Sequence, residues 1–135
     1  MQTRFVATAF AAILICFVPT DAPRAQEAPQ FMQDVLPEQA VEPAWQEFQA
    51  IMNPDGALDG KTKELIGLAV AAQVPCEYCV YYHTKAAEQQ GASEEEIKEA
   101  LASGAMVRKW STMLNGSDYD QQDWRDQVDA MFSGE

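Results

Sequence analysis

The stretch Leu65-Ile66-Gly67-Leu68-Ala69-Val70-Ala71-Ala72 is apolar on every side of a helix, and no other segment constrains the fold as strongly. Asp59 can cap such a helix at its start, and Pro75 interrupts it after about Val74. A helix without a polar face has to be covered all round, so it is expected at the buried centre of an all-α domain. It also carries more hydrophobic surface than a small monomer needs, which points to assembly.

The rest of the chain supplies helices to surround it. Residues 26–41 read as a Pro- and Gln-containing lead-in, with Phe31, Met32, Val35 and Leu36 as docking contacts. The domain proper is expected over 42–135, with about five to six helices. Pro43 suits a first helical turn, so a helix is predicted from Pro43 to Met52, its Trp45, Phe48, Ile51 and Met52 on one face. Asn53-Pro54-Asp55-Gly56 ends it with turn chemistry. Another helix is predicted from near Cys76 to Gln90, closed by Gly91. Ser93-Glu94-Glu95-Glu96 has the form of a capping box. It opens a helix carrying Ile97, Leu101 and Ala105, expected to bend at Ser103-Gly104 and to stop at Asn115-Gly116. A last amphipathic helix places Trp124, Val128, Met131 and Phe132 on one side, with Asp120, Asp123, Asp126 and Asp129 on a solvated face. Neither strand alternation of useful length nor an internal repeat is present.

The first 25 residues read as an export signal. Arg4 provides the positive start, and Phe5 to Val18 is an uncharged, mostly apolar run of 14 residues, too short to span a membrane. Cleavage is expected after Ala25, with Ala22 and Ala28 as alternatives; Ile15 before Cys16 argues against a lipid anchor. Removing residues 1–25 from the 135 leaves 110, enough for one domain. It also removes Arg4, Arg24 and Asp21, so the net charge moves from −12 to −13. A field of that sign disfavours nucleic acid and anionic membrane as partners. The expected product is exported, periplasmic or secreted, with no membrane anchor.

With Cys16 gone, the cysteines are Cys76 and Cys79, in Cys76-Glu77-Tyr78-Cys79. An oxidising compartment favours a disulfide, but so small a loop gains the least from one, below the roughly 3 kcal/mol of a 15-residue loop. Chemistry explains the pair better than stapling does. Cys76, Cys79 and His83 fall within an arc of about 60° on one helix, at about 100° per residue. Cys76 sits at the helix start, where free N–H groups favour a thiolate. Cys79 lies one turn from His83, which can accept its proton. These arguments favour different cysteines as the nucleophile. A dipole contributes about 0.3–1 kcal/mol at exposed sites, whereas a positioned base gives roughly 10²–10⁴-fold in rate. Cys79 therefore ranks first.

Lys61-Thr62-Lys63-Glu64-Leu65-Ile66-Gly67-Leu68-Ala69-Val70-Ala71, Cys76-Glu77-Tyr78-Cys79, His83-Thr84, Ala86-Ala87 and Gly91-Ala92-Ser93-Glu94-Glu95-Glu96-Ile97 together resemble the carboxymuconolactone decarboxylase family. The AhpD-like alkylhydroperoxidase branch fits most closely, because its pattern Glu-x11-Cys-x2-Cys-x3-His is met at Glu64, Cys76, Cys79 and His83. The resemblance implies an AhpD-like helical bundle assembled as a trimer or hexamer. It implies a Cys79 thiolate activated by a Glu64–His83 relay, with Cys76 resolving the sulfenic acid as a disulfide. Spacing alone does not single out Glu64 among the acidic residues. Tyr78 stands where some alkylhydroperoxidases carry a second histidine. The decarboxylase members lack the dithiol, which disfavours lactone decarboxylation.

The expected activity is thus an exported dithiol peroxidase that takes a small hydroperoxide and a dithiol or protein reductant and needs no cofactor. A thiol–disulfide oxidoreductase is the first alternative, and a non-catalytic helical oligomer with an inert disulfide the second. Zinc would find only Cys76, Cys79 and His83 where a structural site needs four ligands. Covalent haem would need His directly after Cys79, where Val80 stands.

Overall fold

The computed structural model describes residues 27–134; the leader expected at residues 1–25 lies outside them. Six helices follow in order: α1 (Gln30–Val35), α2 (Glu38–Ile51), α3 (Gly60–Gln73), α4 (Glu77–Gln89), α5 (Glu94–Gly116) and α6 (Gln121–Phe132). No strand occurs among the described residues, so the architecture is all-α as expected. The chain divides into two compact units, one up to Val41 and one from Glu42 onward.

In the first unit, the lead-in contains helix α1, which the Pro and Gln content did not suggest. Helix α2 also begins at Glu38 rather than Pro43, so Pro43 lies inside it. Its missing N–H falls just beyond the first turn, whose N–H groups lack helical partners in any case. One lost hydrogen bond did not stop the helix there.

The second unit is organised on α3, which packs against α4 and α5. Leu68 is fully enclosed, and Ala71, Ala87, Trp45 and Glu64 are buried with it. Trp45 stacks on Phe48 at 5.5 Å between ring centroids, and Phe48 meets Tyr82 of α4 edge-on at 5.8 Å. The caps are local and strong. Asp59 accepts from the Thr62 N–H at 2.8 Å, and Ser93 and Glu96 close a reciprocal capping box at the start of α5. Lys61 ties the two helix starts together through Glu96 at 2.6 Å.

The expectation of a wholly buried α3 is corrected. Ile66, Val70 and Val74 are each at least half exposed, so one side of the helix is uncovered in the single chain. Helix α5 likewise leaves Met106, Val107, Trp110 and Met113 exposed, and α6 leaves Met131 and Phe132 exposed. The expected bend at Ser103-Gly104 is also corrected: α5 runs unbroken to Gly116. Gly104 instead marks a close approach, since a Cβ there would sit 3.1 Å from the Ala69 carbonyl oxygen of α3. The glycine lets two backbones approach, which is a packing role rather than a hinge.

The caps make a prediction about acid. The Thr62 backbone N–H, and then its hydroxyl, hold the Asp59 carboxyl below its ordinary value. The Lys61 ammonium does the same for Glu96, followed by the Ser93 N–H. A carboxylate lowered in the folded state adds stability above its unfolded pKa and loses it as pH falls through the folded one. The thermal midpoint is therefore expected to fall as pH drops below about 4.5, the ordinary Glu value. In Glu96→Gln that fall should be shallower, with the two proteins converging in acid. Parallel curves from pH 7 to 3 would refute this.

Candidate active site

Helices α3 and α4 bring the four expected residues into one place. Pro75 ends the α3 segment, and Cys76 then caps α4: its Sγ accepts the Cys79 N–H at 3.2 Å. Cys76 and Cys79 are joined as a disulfide, with Cα atoms 5.3 Å apart. The sulfurs thus sit in the first turn of α4, where N–H groups are free to hold negative charge.

One turn on, His83 Nδ1 lies 2.7 Å from Glu64 Oε2. Glu64 is only 6 % exposed, and the His83 side chain is largely covered. An ionised carboxylate only accepts, so this bond places a proton on Nδ1. In the neutral imidazole Nε2 is then the basic nitrogen. Tyr82 closes edge-on against His83 at 5.2 Å between centroids. Its hydroxyl is pushed above the ordinary tyrosine value by burial, with the Glu64 charge adding to the shift.

Gly67 is the residue that sequence reasoning passed over. It lies one turn after Glu64 on α3. A Cβ at this position would stand 2.5 Å from His83 Cε1, 2.6 Å from Nδ1 and 2.8 Å from Nε2. The imidazole therefore rests against the bare backbone of α3, and only glycine leaves it that room. Its signal in the sequence was a glycine, a poor helix former, at the centre of an otherwise strongly helical run.

A cavity of about 500 Å³ opens beside the group, lined by Cys76, Cys79, His83 and Gly67 together with apolar side chains such as Met52, Leu58 and Ile66. Lys63 is its one charged lining residue. Among the described residues no three His, Cys, Asp or Glu side chains converge as a metal site. The arrangement offers a two-electron couple beside a carboxylate-oriented base.

A helical fold carrying a Cys-x2-Cys disulfide next to a Glu–His pair defines the AhpD-like class of dithiol proteins. The chain belongs to the carboxymuconolactone decarboxylase family, whose sequence profile matches residues 39–120. Among solved structures it is similar to the alkylhydroperoxidase AhpD core from Rhodospirillum rubrum, with 28% identity and a TM-score of 0.58. That match covers 61% of this chain and 60% of the other. A structural-genomics protein from Methanobacterium thermoautotrophicum aligns at 28% identity and a TM-score of 0.54, over 65% of this chain and 96% of that one. An uncharacterized protein 4 in cox locus of Paracoccus denitrificans is 38% identical over 69 residues, 51% of this chain and 62% of the relative. An uncharacterized protein of Cupriavidus necator is 40% identical over 67 residues, 47% of this chain and 59% of the relative. The chain thus spans about three fifths of the length of the curated relatives it matches.

Proposed function

We propose that this protein is a dithiol peroxidase of the alkylhydroperoxidase type. The observation that carries the reading is the buried Glu64–His83 pair, bonded at 2.7 Å, whose His83 lines an apolar cavity together with Cys76 and Cys79 of the disulfide. An inert staple has no use for a buried carboxylate that orients an imidazole beside it. The likeness to an alkylhydroperoxidase core supports the same chemistry.

In the reduced protein His83 Nε2 takes the Cys79 thiol proton. The thiolate attacks the distal oxygen of a hydroperoxide, the O–O bond breaks, and the alcohol leaves with that proton. Cys79 is then a sulfenic acid. Cys76 sulfur attacks it, the S–O bond breaks, and water departs as the disulfide forms. A dithiol or protein reductant returns two electrons. Apolar lining suits an organic hydroperoxide better than hydrogen peroxide. The test is peroxide consumption by the reduced protein with several dithiol donors. Turnover supports the reading, and a reducible disulfide with no peroxide consumption by the dithiol form refutes it.

Export to an oxidising compartment belongs to the same proposal, on the strength of the leader-like residues 1–25. So does a homo-oligomer, trimer or hexamer, because Ile66 and Val70 of α3, Val74 just after it and Val107 of α5 line an open apolar cavity of about 570 Å³ on the uncovered side. Exposed apolar side chains gathered on adjoining helices support that reading. Val107→Glu is expected to shift the mass measured by light scattering to that of a single chain. An unshifted oligomer would place the interface elsewhere.

A further inference from the structure

A second cavity lies against the same disulfide. It measures about 520 Å³ and is lined by Ala72, Pro75, Glu77, Val80, Tyr81, Thr84 and Lys85, with Cys76 again in its wall. Cys76 lines both cavities, whereas Cys79 and His83 line only the apolar one. On the helical wheel Cys79 and His83 share one face of α4, and Glu77, Tyr81, Thr84 and Lys85 share another. The second cavity is also chemically different: it carries charged Glu77 and Lys85 and the largely exposed Tyr81. The two cysteines therefore differ in their surroundings although they are bonded to each other.

We propose that the thiol reductant enters through this second cavity and attacks Cys76, so that oxidant and reductant use different faces of α4. The inference rests on the dithiol reading above and assigns the electron-donating half of it. The donor thiol gives up its proton to solvent, and its sulfur bonds to Cys76 Sγ. The S–S bond breaks, and its electron pair goes to Cys79 Sγ, which takes up a proton that His83 Nε2 passes on from solvent. The donor's second thiolate then attacks the donor sulfur of the mixed disulfide. Cys76 leaves as a thiolate, and the Cys79 N–H that caps α4 is in place to hold it, 3.2 Å from Sγ in the oxidised form. The donor ends as a disulfide and the protein as a dithiol.

Each departing sulfur has its own stabilising group in either order of attack, so access to the attacked sulfur decides between them. Attack on Cys79 would bring the donor into the cavity meant for the hydroperoxide. His83 would then stand next to the sulfur bonded in the first step and would serve only the release that ends the second. Leaving-group stability is a main determinant of exchange rate, along with access to the attacked sulfur.

The test uses the oxidised full chain and glutathione, a monothiol that stops at the mixed disulfide. The reaction is quenched within the first turnover by acid and N-ethylmaleimide, and the adduct is located by peptide mass spectrometry. Glutathione is expected on Cys76 and maleimide on Cys79, with about tenfold preference. Glutathione mainly on Cys79 would overturn the inference. Filling the second cavity by Thr84→Trp gives an independent reading. It should slow reduction by glutathione about tenfold more than reduction by the smaller 2-mercaptoethanol. An unchanged ratio of the two rates in a folded variant would overturn the route. Peroxide consumption by the chemically reduced wild type is measured alongside. If it succeeds while the adduct sits on Cys79, this inference fails and the peroxidase reading stands.

Discussion

Cys79→Ser is expected to lose the fast reaction with a hydroperoxide, by roughly 10³-fold or more, as removal of a nucleophile acting with its base does elsewhere. Cys76→Ser should still consume one equivalent and accumulate a sulfenic acid on Cys79, trappable by dimedone. The asymmetry comes from where the base sits. With His83 Nδ1 bonded to Glu64, Nε2 is the nitrogen left to take a proton, and His83 lies one turn beyond Cys79 on the same face of α4. Cys76 has a different aid, the Cys79 N–H at its sulfur. That aid favours a thiolate but moves no proton. A cap hydrogen bond or dipole is worth about 0.3–1 kcal/mol, whereas general-base catalysis gives roughly 10²–10⁴-fold. Stopped-flow peroxide consumption by the two variants decides the matter. Fast reaction by Cys79→Ser through Cys76 would reverse the roles and remove the relay from the mechanism.

Local chemistry was the legible part of this fold. Asp59, Ser93 with Glu96, and Gly91 mark helix ends because each acts on backbone groups within four residues of itself. The spacing of Cys76, Cys79 and His83 was legible for the same reason, since a single helix fixes it. What a helix meets from outside was not legible. The all-apolar α3 reads as buried, yet Ile66 and Val70 are uncovered in the single chain, because hydropathy records a need for cover and not its source. Glu64 lies 19 residues from its partner on another helix, so only the family pattern could select it. Glycines were the hardest to read. Gly104 suggested a bend and proved to be a contact with α3, because a glycine inside a helix permits either and its sequence neighbours do not choose. Pro43 misled for a related reason: its preference for the first turn is statistical, and α2 tolerates it one turn later.

Gly67→Ala should lower the peroxide rate by about 10²-fold, at the lower end of what a positioned base contributes. The added methyl would stand within 2.5–2.8 Å of three ring atoms of His83, closer than such atoms can approach. Either the ring or the α3 backbone has to move, and the ring is the softer of the two. Its displacement pulls Nδ1 from Glu64, whose carboxylate is then buried without its acceptor role fulfilled. That carries a stability cost of about 1–3 kcal/mol, so thermal unfolding is measured in parallel to separate folding from rate. The decisive comparison is a double-mutant cycle with His83→Ala. If Gly67 acts only by making room for the imidazole, adding Gly67→Ala to His83→Ala should cost no further rate, because the smaller side chain leaves space for the methyl. The pH dependence of sulfenic-acid formation supplies a second reading. Gly67→Ala should shift its profile toward that of His83→Ala, which a loss of stability alone would not do. Equal rate losses from Gly67→Ala in the two backgrounds would show that this glycine serves α3 packing and not the base.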